Sequence, residues 1–201
     1  VGTVKILKER KEEIEKELKV AIQIAKIADK DWERERPLTV PPEIRTYDPW
    51  EVVKDPEIDI VVEAIGGVSP TFELVSCALE QGKTVITPNK ELIAKKGGEL
   101  LKIAESSNSE LFFEGAVGGG IPIIHSLKGQ LIGDDIEEVI GIVNGTTNFV
   151  LTEMSLHKTS YAEALKEAQN RGYAEPVPVM DVEGFDAAYK IAILASLAFH
   201  S

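Results

Sequence analysis

The segment FFEGAVGGGIPII, residues 112–124, joins two parts of the chain that differ in character. It begins as a β-prone apolar run and passes through Glu114 into a loop with four glycines, which permit positive φ angles or close approach to a ligand. The loop carbonyls and the Glu114 carboxylate are oxygen ligands of the kind that a hard cation prefers. The alternative is a glycine hinge with a solvated Glu114, and these residues alone favour the hinge.

Upstream of this junction, apolar strands alternate with helices. The run IDIVVEA at 58–64 is almost continuously apolar and ends before two glycines, as a central parallel strand does. Other strands are predicted at 20–28, 83–87 and 110–113, and helices at 1–19, 70–81 and 89–106. This alternation predicts an α/β fold with a doubly wound parallel sheet.

Local signals mark the ends of these elements. Ser69 is expected to cap the helix at 70–81, and Gly97 with Gly98 is expected to interrupt the helix at 89–106. Residues 32–49 carry prolines without periodicity and are predicted to form a surface loop. Ligands of a doubly wound sheet bind beyond the carboxyl ends of its strands, so one crevice is expected to hold Lys30, Gly66, Gly67, Asn89, Lys90 and Glu114.

Downstream of the junction the pattern changes. A helix is predicted at 121–131, a strand at 136–143, and helices at 150–154 and 160–171, where Ser160 and Glu163 have the spacing of a capping box. The last helix, at 185–199, is apolar except for Asp186 and Lys190. These two residues are separated by four positions and therefore share one helix face.

Composition excludes several classes of protein. A net charge of −12 on 201 residues disfavours nucleic acid as a partner. Cys77 is the only cysteine, which excludes an intrachain disulfide and fits the reducing cytoplasm. No apolar run is as long as a membrane span, so no membrane association is expected. The three histidines have no spacing that indicates a metal site or a triad: His125, His157 and His200.

Six runs of sequence together resemble the homoserine dehydrogenase family, and they occur in that family's order over nearly the whole chain: DIVVEAIGG, TPNK, FFEGAVGGGIPII, GIVNGTTNF, GYAEP and DVEGFDAAYKIAILASLAF. The resemblance implies a Rossmann-type nucleotide-binding domain at 1–120 and an α+β catalytic and dimerisation domain at 121–201. It also implies NAD(P)-dependent interconversion of L-homoserine and L-aspartate 4-semialdehyde, in the biosynthesis of threonine, methionine and isoleucine. A homodimer is expected on the same ground.

The chain departs from the family pattern at both ends. Family members begin with a strand and a GxGxxG loop, whereas this chain begins at the tail of that loop, with Gly2 as its last glycine. The family also continues beyond the apolar helix at 185–199. We therefore interpret the sequence as an internal fragment that lacks most of the loop that holds the pyrophosphate.

The resemblance implies roles for several charged residues. Lys190 matches the family's catalytic lysine, and an ammonium group in an otherwise apolar helix needs a partner in any case. Lys90 follows a strand end and is the second catalytic candidate, close to nicotinamide and substrate. Glu175 matches a substrate-binding glutamate, and Asp181 is comparable. Asp186 either pairs with Lys190 or binds the substrate amine.

The cofactor contacts expected from the crevice and from the resemblance are Gly2, Lys30, Gly66, Asn89, Lys90, Gly145 and Thr146. Lys30 lies just past the second strand, where a cation favours the 2′-phosphate of NADP. Asp29 argues for NAD, because a carboxylate there accepts from a free 2′-hydroxyl. The expected cofactor is NADP, with NAD as the alternative.

The resemblance further implies a monovalent cation site, such as a sodium site, formed by Glu114, Val117, Gly119 and Ile121. Two other functions remain as alternatives. One is a noncatalytic dimerisation or regulatory fragment, which the shortened nucleotide loop would suit. The other is a different small-substrate semialdehyde dehydrogenase or reductase of similar architecture.

Overall fold

The computed structural model describes residues 1–199, so that His200 lies outside the described part. Its α-helices are α1 Gly2–Glu9, α2 Lys11–Leu18, α3 Trp50–Val53, α4 Thr71–Glu80, α5 Lys90–Ser106, α6 Ile123–His125, α7 Gly145–His157, α8 Tyr161–Asn170, α9 Val179–Val182 and α10 Phe185–Ala198. Its strands are β1 Ile27–Ala28, β2 Arg45–Thr46, β3 Ile60–Val62, β4 Thr84–Ile86 and β5 Leu111–Phe112.

All strand pairs are parallel, as the alternation of strands and helices predicts. β4 lies between β3 and β5 in one ladder, and β1 pairs with β2 in another. Val85, at the centre of β4, is completely buried and packs with Leu79 of α4 and Leu92 of α5. The helices thus cover one face of this ladder, whereas Ile60, Val62, Ile86 and Phe112 on the alternate positions of its strands are exposed. The α/β class predicted from the sequence is confirmed.

The N-terminal part differs from the prediction in its strands. The strand expected at 20–28 is reduced to Ile27–Ala28, because only those two residues lie opposite a partner, Arg45–Thr46. That partner falls inside the segment predicted as a loop at 32–49, so this prediction was wrong at β2. The expected N-terminal helix is present as α1 and α2, with a break at Arg10.

The strand predicted at 136–143 does not form. Its residues have no ladder partner among the described strands, and Ile140 and Ile142 are 83% and 76% exposed. The apolar pattern is that of a strand, but the pattern cannot supply the neighbouring N–H and C=O groups that a strand requires. The helix predicted at 121–131 is also modified, since the short α6 continues as one π turn at Ser126–Gln130.

Helix ends were predicted with mixed success. Ser69 does not cap α4, whose N-cap is Pro70 without a side-chain hydrogen bond. The Ser160 and Glu163 capping box is present and confirms the prediction for α8. Gly97 and Gly98 do not interrupt α5, which runs unbroken from Lys90 to Ser106.

Buried apolar side chains from both sides of position 120 share one core. Phe113 belongs to the same cluster as Ile124, Leu127 and Leu194. α10 also packs against α5, which brings the N-terminal ends of these two helices into one region. The division into domains at 1–120 and 121–201 stays a prediction, and this packing is what positions the site described below.

The two glycines of α5 provide a matched test of its packing. Replacing Gly98 with Ala should raise the free energy of unfolding by ~0.5–1 kcal/mol, because a Cβ there meets open space and Gly is a poor residue inside a helix. Gly97→Ala should stabilise less, since its Cβ would lie 3.3 Å from Ile93 Cγ2. Urea unfolding of both variants measures the difference, and equal stabilisation would contradict this packing.

Candidate active site

The candidate site lies where the N-terminal ends of α5, α7 and α10 come together. Lys90 is the first residue of α5, Asn144 is the N-cap of α7, and Asp186 is in the first turn of α10. Asp181, in the short α9, approaches from the segment that precedes α10. Residues distant in sequence therefore contribute side chains to one polar cluster.

Asp186 is the centre of this cluster and is only 5% exposed. Its Oδ1 lies 3.0 Å from Lys90 Nζ, and its Oδ2 lies 2.6 Å from Lys190 Nζ. One buried carboxylate thus holds two ammonium groups, one from each side of the glycine-rich junction. Asp186 pairs with Lys190, which is one of the two roles considered for it in the sequence, and its contact with substrate stays a prediction.

Lys190 is held in place by two hydrogen bonds. Besides donating to Asp186, its Nζ donates to the carbonyl oxygen of Val143 at 2.7 Å. An ammonium group has three N–H donors, so these contacts orient Lys190 and leave one donor for a further partner. This partly buried position explains how α10 tolerates a lysine in an otherwise apolar helix.

Asn144 is a member of the cluster that was not among the predicted site residues. Its Nδ2 donates to Asp181 Oδ1 at 2.7 Å and to Asp186 Oδ2 at 2.9 Å. The only sequence signal for it was its place at the start of the polar run NGTTNF, at 144–149. That signal predicts hydrogen bonding in general and gives no partner.

The charges around Asp186 determine its protonation. Burial by itself raises the pKa of the Asp186 carboxyl, but hydrogen bonds from Asn144, Lys190 and Lys90 outweigh burial. The pKa of Asp186 therefore lies below its ordinary value. The carboxylate is ionised at neutral pH and can form ion pairs with both lysines.

Two open clefts meet at Asp181 and Asp186. One has a volume of about 610 Å³ and is lined by Gly145, Thr146 and Lys190 among others. The other has a volume of about 460 Å³ and is lined by Lys90 and Glu175 among others. Tyr173 also borders both.

The structure therefore places most of the predicted substrate and catalytic residues together. Glu175 is exposed at the rim of the smaller cleft, and Thr146 is buried, with its hydroxyl donating to the Tyr173 carbonyl at 2.7 Å. Gly145 begins α7 beside them. Their assigned roles stay predictions, but their proximity is what those roles require.

A second polar network orders the loops at the carboxyl ends of β3 and β4. Glu63 is buried, and its Oε1 accepts from the backbone N–H groups of Ile65 and Gly66 at 2.6 Å and 2.9 Å. Its other oxygen accepts from the Thr87 hydroxyl. Glu63 was not singled out in the sequence, because the apolar run that contains it appeared only as a strand.

Gly66 and Asn89 lie in this network. Gly66 and Gly67 have φ angles of +84° and +68°, which residues other than glycine rarely adopt. Asn89 Nδ2 donates to the Gly67 carbonyl at 2.7 Å, and Asn89 Oδ1 caps α5. The loops after β3 and β4 therefore adjoin each other at the sheet edge, as a shared crevice requires.

Lys30 is not part of this network. It is exposed after β1, in the two-stranded ladder, and no hydrogen bond or ion pair links it to the other crevice residues in the described chain. The neighbouring Asp29 carboxylate pairs with Arg36 at 2.5 Å and accepts the Asp31 N–H at 2.9 Å. Gly2 is likewise exposed, at the start of α1.

The predicted cation segment has its own hydrogen bonds. Glu114 is not simply solvated, because its two oxygens accept from the N–H groups of Ile124 and His125 at 2.9 Å and 2.8 Å. The Ile121 carbonyl accepts from Ile123 N–H at 2.8 Å. Gly118 and Gly119 have positive φ angles. Within residues 1–199 no group of three or more His, Cys, Asp or Glu side chains could hold a metal ion.

Comparison with known protein families gives two matches in this chain. Residues 1–114 match the family described as the NAD binding domain of homoserine dehydrogenase, and residues 122–201 match the homoserine dehydrogenase family. The homoserine dehydrogenase of Bacillus subtilis is 44% identical over 198 residues, which are 98% of this chain and 46% of that protein. That of Corynebacterium glutamicum is 44% identical over 203 residues, covering 100% of this chain and 45% of that protein.

Solved structures give the same result. The crystal structure of a homoserine dehydrogenase from Thiobacillus denitrificans superposes with a TM-score of 0.92 at 44% identity, covering 99% of this chain and 46% of that chain. A hyperthermophilic archaeal homoserine dehydrogenase in complex with NADPH superposes with a TM-score of 0.73 at 34% identity, over 79% of this chain and 49% of that chain.

Parallel strands with an NAD-binding domain, joined to a cluster of paired ammonium groups and carboxylates, define an α/β protein of the dinucleotide-binding class. The chain belongs to the homoserine dehydrogenase family. It spans about half the length of the curated relatives it matches. None of the helices within residues 1–199 has the length and apolar character needed to cross a membrane.

The lowered pKa of Asp186 predicts a particular pH dependence. The ionised carboxylate stabilises the fold above the ordinary Asp pKa of ~4, and this contribution is lost as pH falls through the lower pKa of the folded state. Replacing Asp186 with Asn should therefore lower the free energy of unfolding most near pH 7 and progressively less below pH ~4.

Urea unfolding between pH 7 and pH 2 measures this difference. Asp134→Asn is the matched control, because Asp134 is exposed and the structure gives it no ion pair. A destabilisation by Asp186→Asn that stayed constant over the whole range would contradict the pKa argument.

Proposed function

We propose that the protein containing this chain catalyses NAD(P)-dependent interconversion of L-homoserine and L-aspartate 4-semialdehyde. The observation that carries the proposal is the pair of ammonium groups, Lys90 and Lys190, held by the buried Asp186 where two clefts meet. Family membership over the whole chain supports the same reaction.

The chemistry of the reaction explains why lysines are needed. When bound, the nicotinamide cofactor supplies the hydride that the aldehyde carbon accepts. Negative charge then grows on the aldehyde oxygen, and a nearby cation that can also give a proton lowers the barrier. Lys190 is the first candidate for this group, because Asp186 and the Val143 carbonyl fix its Nζ and one N–H donor remains for the oxygen. Lys90 is the second.

Carboxylates that border the two clefts are suited to bind the α-ammonium group of the substrate. Homoserine carries an α-ammonium group, which requires an anion in the cleft. Asp181 borders both clefts, and Glu175 lies on the rim of the smaller one. Asp186 is already shared between two lysines, so we assign the ammonium contact to Glu175 and Asp181.

The residues present fit the nicotinamide end of a dinucleotide. Gly66 and Gly67 give the edge of β3 a backbone that a ligand can approach, since a Cβ at either would meet no atom of the described residues within 4 Å. Asn89, Gly145 and Thr146 would border the nicotinamide side.

NADP is the proposed preference. Arg36 pairs with Asp29, so the carboxylate that would favour a free 2′-hydroxyl is neutralised, while Lys30 remains exposed beside it. The structure of a hyperthermophilic archaeal homoserine dehydrogenase in complex with NADPH supports the use of a nicotinamide cofactor.

Four further properties belong to the proposal. The oxygen donors of Glu114, Val117, Gly119 and Ile121 suit a monovalent cation such as sodium, because the set carries a single charge. A homodimer would explain exposed apolar residues such as Ile140 and Ile142. Activity in the cytoplasm fits the single cysteine, and the net charge of −12 argues against nucleic acid as a partner.

Two assays separate this function from its alternatives. Fluorescence titration measures NADPH binding, which distinguishes an enzyme from a noncatalytic dimerisation or regulatory fragment. Oxidation of homoserine, compared with other small hydroxy substrates, distinguishes it from another semialdehyde dehydrogenase. Binding of NADPH together with preferential oxidation of homoserine supports the proposal, and absence of either contradicts it.

Lys190→Ala should lower kcat by at least ~10²-fold while leaving NADPH affinity within ~2-fold of wild type, because the lysine acts on the reacting oxygen. Steady-state kinetics and NADPH titration measure the two effects. Weaker cofactor binding with unchanged kcat would contradict the role assigned to Lys190.

Glu175→Gln is the matched comparison in the same site. It removes an exposed charge at the cleft rim and should raise KM for homoserine more than KM for the cofactor. An equal effect on both would indicate that Glu175 acts on the structure of the loop.

Lys30→Ala should lower the ratio of kcat/KM for NADP to that for NAD by about 10-fold, because the ammonium group is assigned to the 2′-phosphate. Lys166→Ala, an exposed lysine on α8, is the control and should keep the wild-type ratio. If Lys30→Ala also keeps that ratio while Arg36→Ala lowers it, Arg36 and not Lys30 reads the phosphate.

A further inference from the structure

Asn144 is only 7% exposed, and every hydrogen-bonding group of its side chain has a partner within the protein. Its Nδ2 donates hydrogen bonds to Asp181 Oδ1 and Asp186 Oδ2. Its Oδ1 accepts from the N–H and from the hydroxyl of Thr147, at 2.8 Å and 2.7 Å. One amide thus caps α7 on one side and joins two carboxylates on the other.

The orientation of this amide follows from its partners. If its oxygen and nitrogen were exchanged, the oxygen would face two carboxylate oxygens and the NH₂ group would face the Thr147 N–H. Both contacts would be repulsive, so the nitrogen must face the carboxylates. Asn144 is therefore a donor placed between two acids that would otherwise repel each other.

We propose that Asn144 is a positioning residue that bridges Asp181 and Asp186 and fixes both carboxylates at the boundary of the two clefts. The proposal rests on the proposed function, in which Asp181 binds the substrate ammonium and Asp186 holds the two lysines. Asn144 itself need not touch substrate. It sets the geometry of the groups that do.

Charged and titratable groups from several elements act on this bridge. Asp181 comes from α9, Asp186 and Lys190 from α10, and Lys90 from α5. Tyr173 and Glu175 lie in the preceding loop on the cleft borders. The two lysines reach Asp186, whereas within residues 1–199 the only hydrogen bond to the Asp181 carboxylate comes from Asn144.

Substitution can separate the bridge from the helix cap. Asp is as good an N-cap as Asn, so Asn144→Asp keeps the acceptor for the Thr147 N–H but deletes both donors and adds a third carboxylate. Asn144→Ser also keeps a capping oxygen and adds no charge. A role limited to capping α7 would leave kinetics unchanged in both variants.

The expected kinetic result is specific to substrate. Asn144→Asp should raise KM for homoserine at least ~10-fold, leave NADPH affinity within ~2-fold, and move the acidic limb of the kcat/KM profile to higher pH, because like charges disfavour ionisation. Asn144→Ser should raise KM with a smaller shift of that limb. Ser160→Asp, which changes the N-cap of α8 in the same way, is the control and should resemble wild type.

A second measurement does not depend on turnover. In ¹³C NMR titrations of the carboxyl groups, Asn144→Asp should raise the pH at which Asp186 titrates by at least ~1 unit. Unchanged titration of Asp186 would overturn the bridge, and so would wild-type kinetics in an active Asn144→Asp enzyme. Absence of homoserine oxidation in wild type would instead overturn the proposed function while the NMR result still decided the bridge. Should Asn144→Asp not fold, Asn144→Ser supports the bridge if Asp186 titrates at higher pH than in wild type and overturns it if not.

Discussion

The buried carboxylate of Asp186 is the constraint on which the site depends. A single charge removed from water costs several kcal/mol unless opposite charges and hydrogen bonds compensate for it. Here the compensation comes from Lys90, Lys190 and Asn144, which start or belong to three different helices. Those helices must therefore pack closely, and the packing of α10 on α5 supplies that approach.

The two ion pairs of Asp186 connect the parts of the chain that precede and follow the glycine-rich junction at 112–124. Lys90 stands directly after the loop of β4, where Asn89 and the buried Glu63 order the backbone around Gly66. Lys190 belongs to α10, in the part of the chain that carries the carboxylates proposed to bind the substrate. The contact at Asp186 thus joins the edge proposed for the dinucleotide to the cleft proposed for the substrate, which is the arrangement that the proposed hydride transfer needs.

Much of this arrangement was predictable from local sequence. The spacing of Asp186 and Lys190 predicts their ion pair, and the place of Lys90 after a strand predicts its exposure to the crevice. Hydrogen-bond pairing between strands that are distant in sequence was not predictable. The prediction of a strand at 136–143 was therefore wrong, and β2 was missed. Asn144 was missed because an amide's partners depend on tertiary contacts.

The central claim is that one carboxylate presents two lysines to one substrate. A crystal structure of the protein with NADP and homoserine tests this most directly. The account predicts the homoserine hydroxyl oxygen within hydrogen-bonding reach, ~3 Å, of Lys190 Nζ or Lys90 Nζ, with Asp186 still contacting both lysines. Homoserine bound with neither ammonium group in reach of its hydroxyl would contradict it.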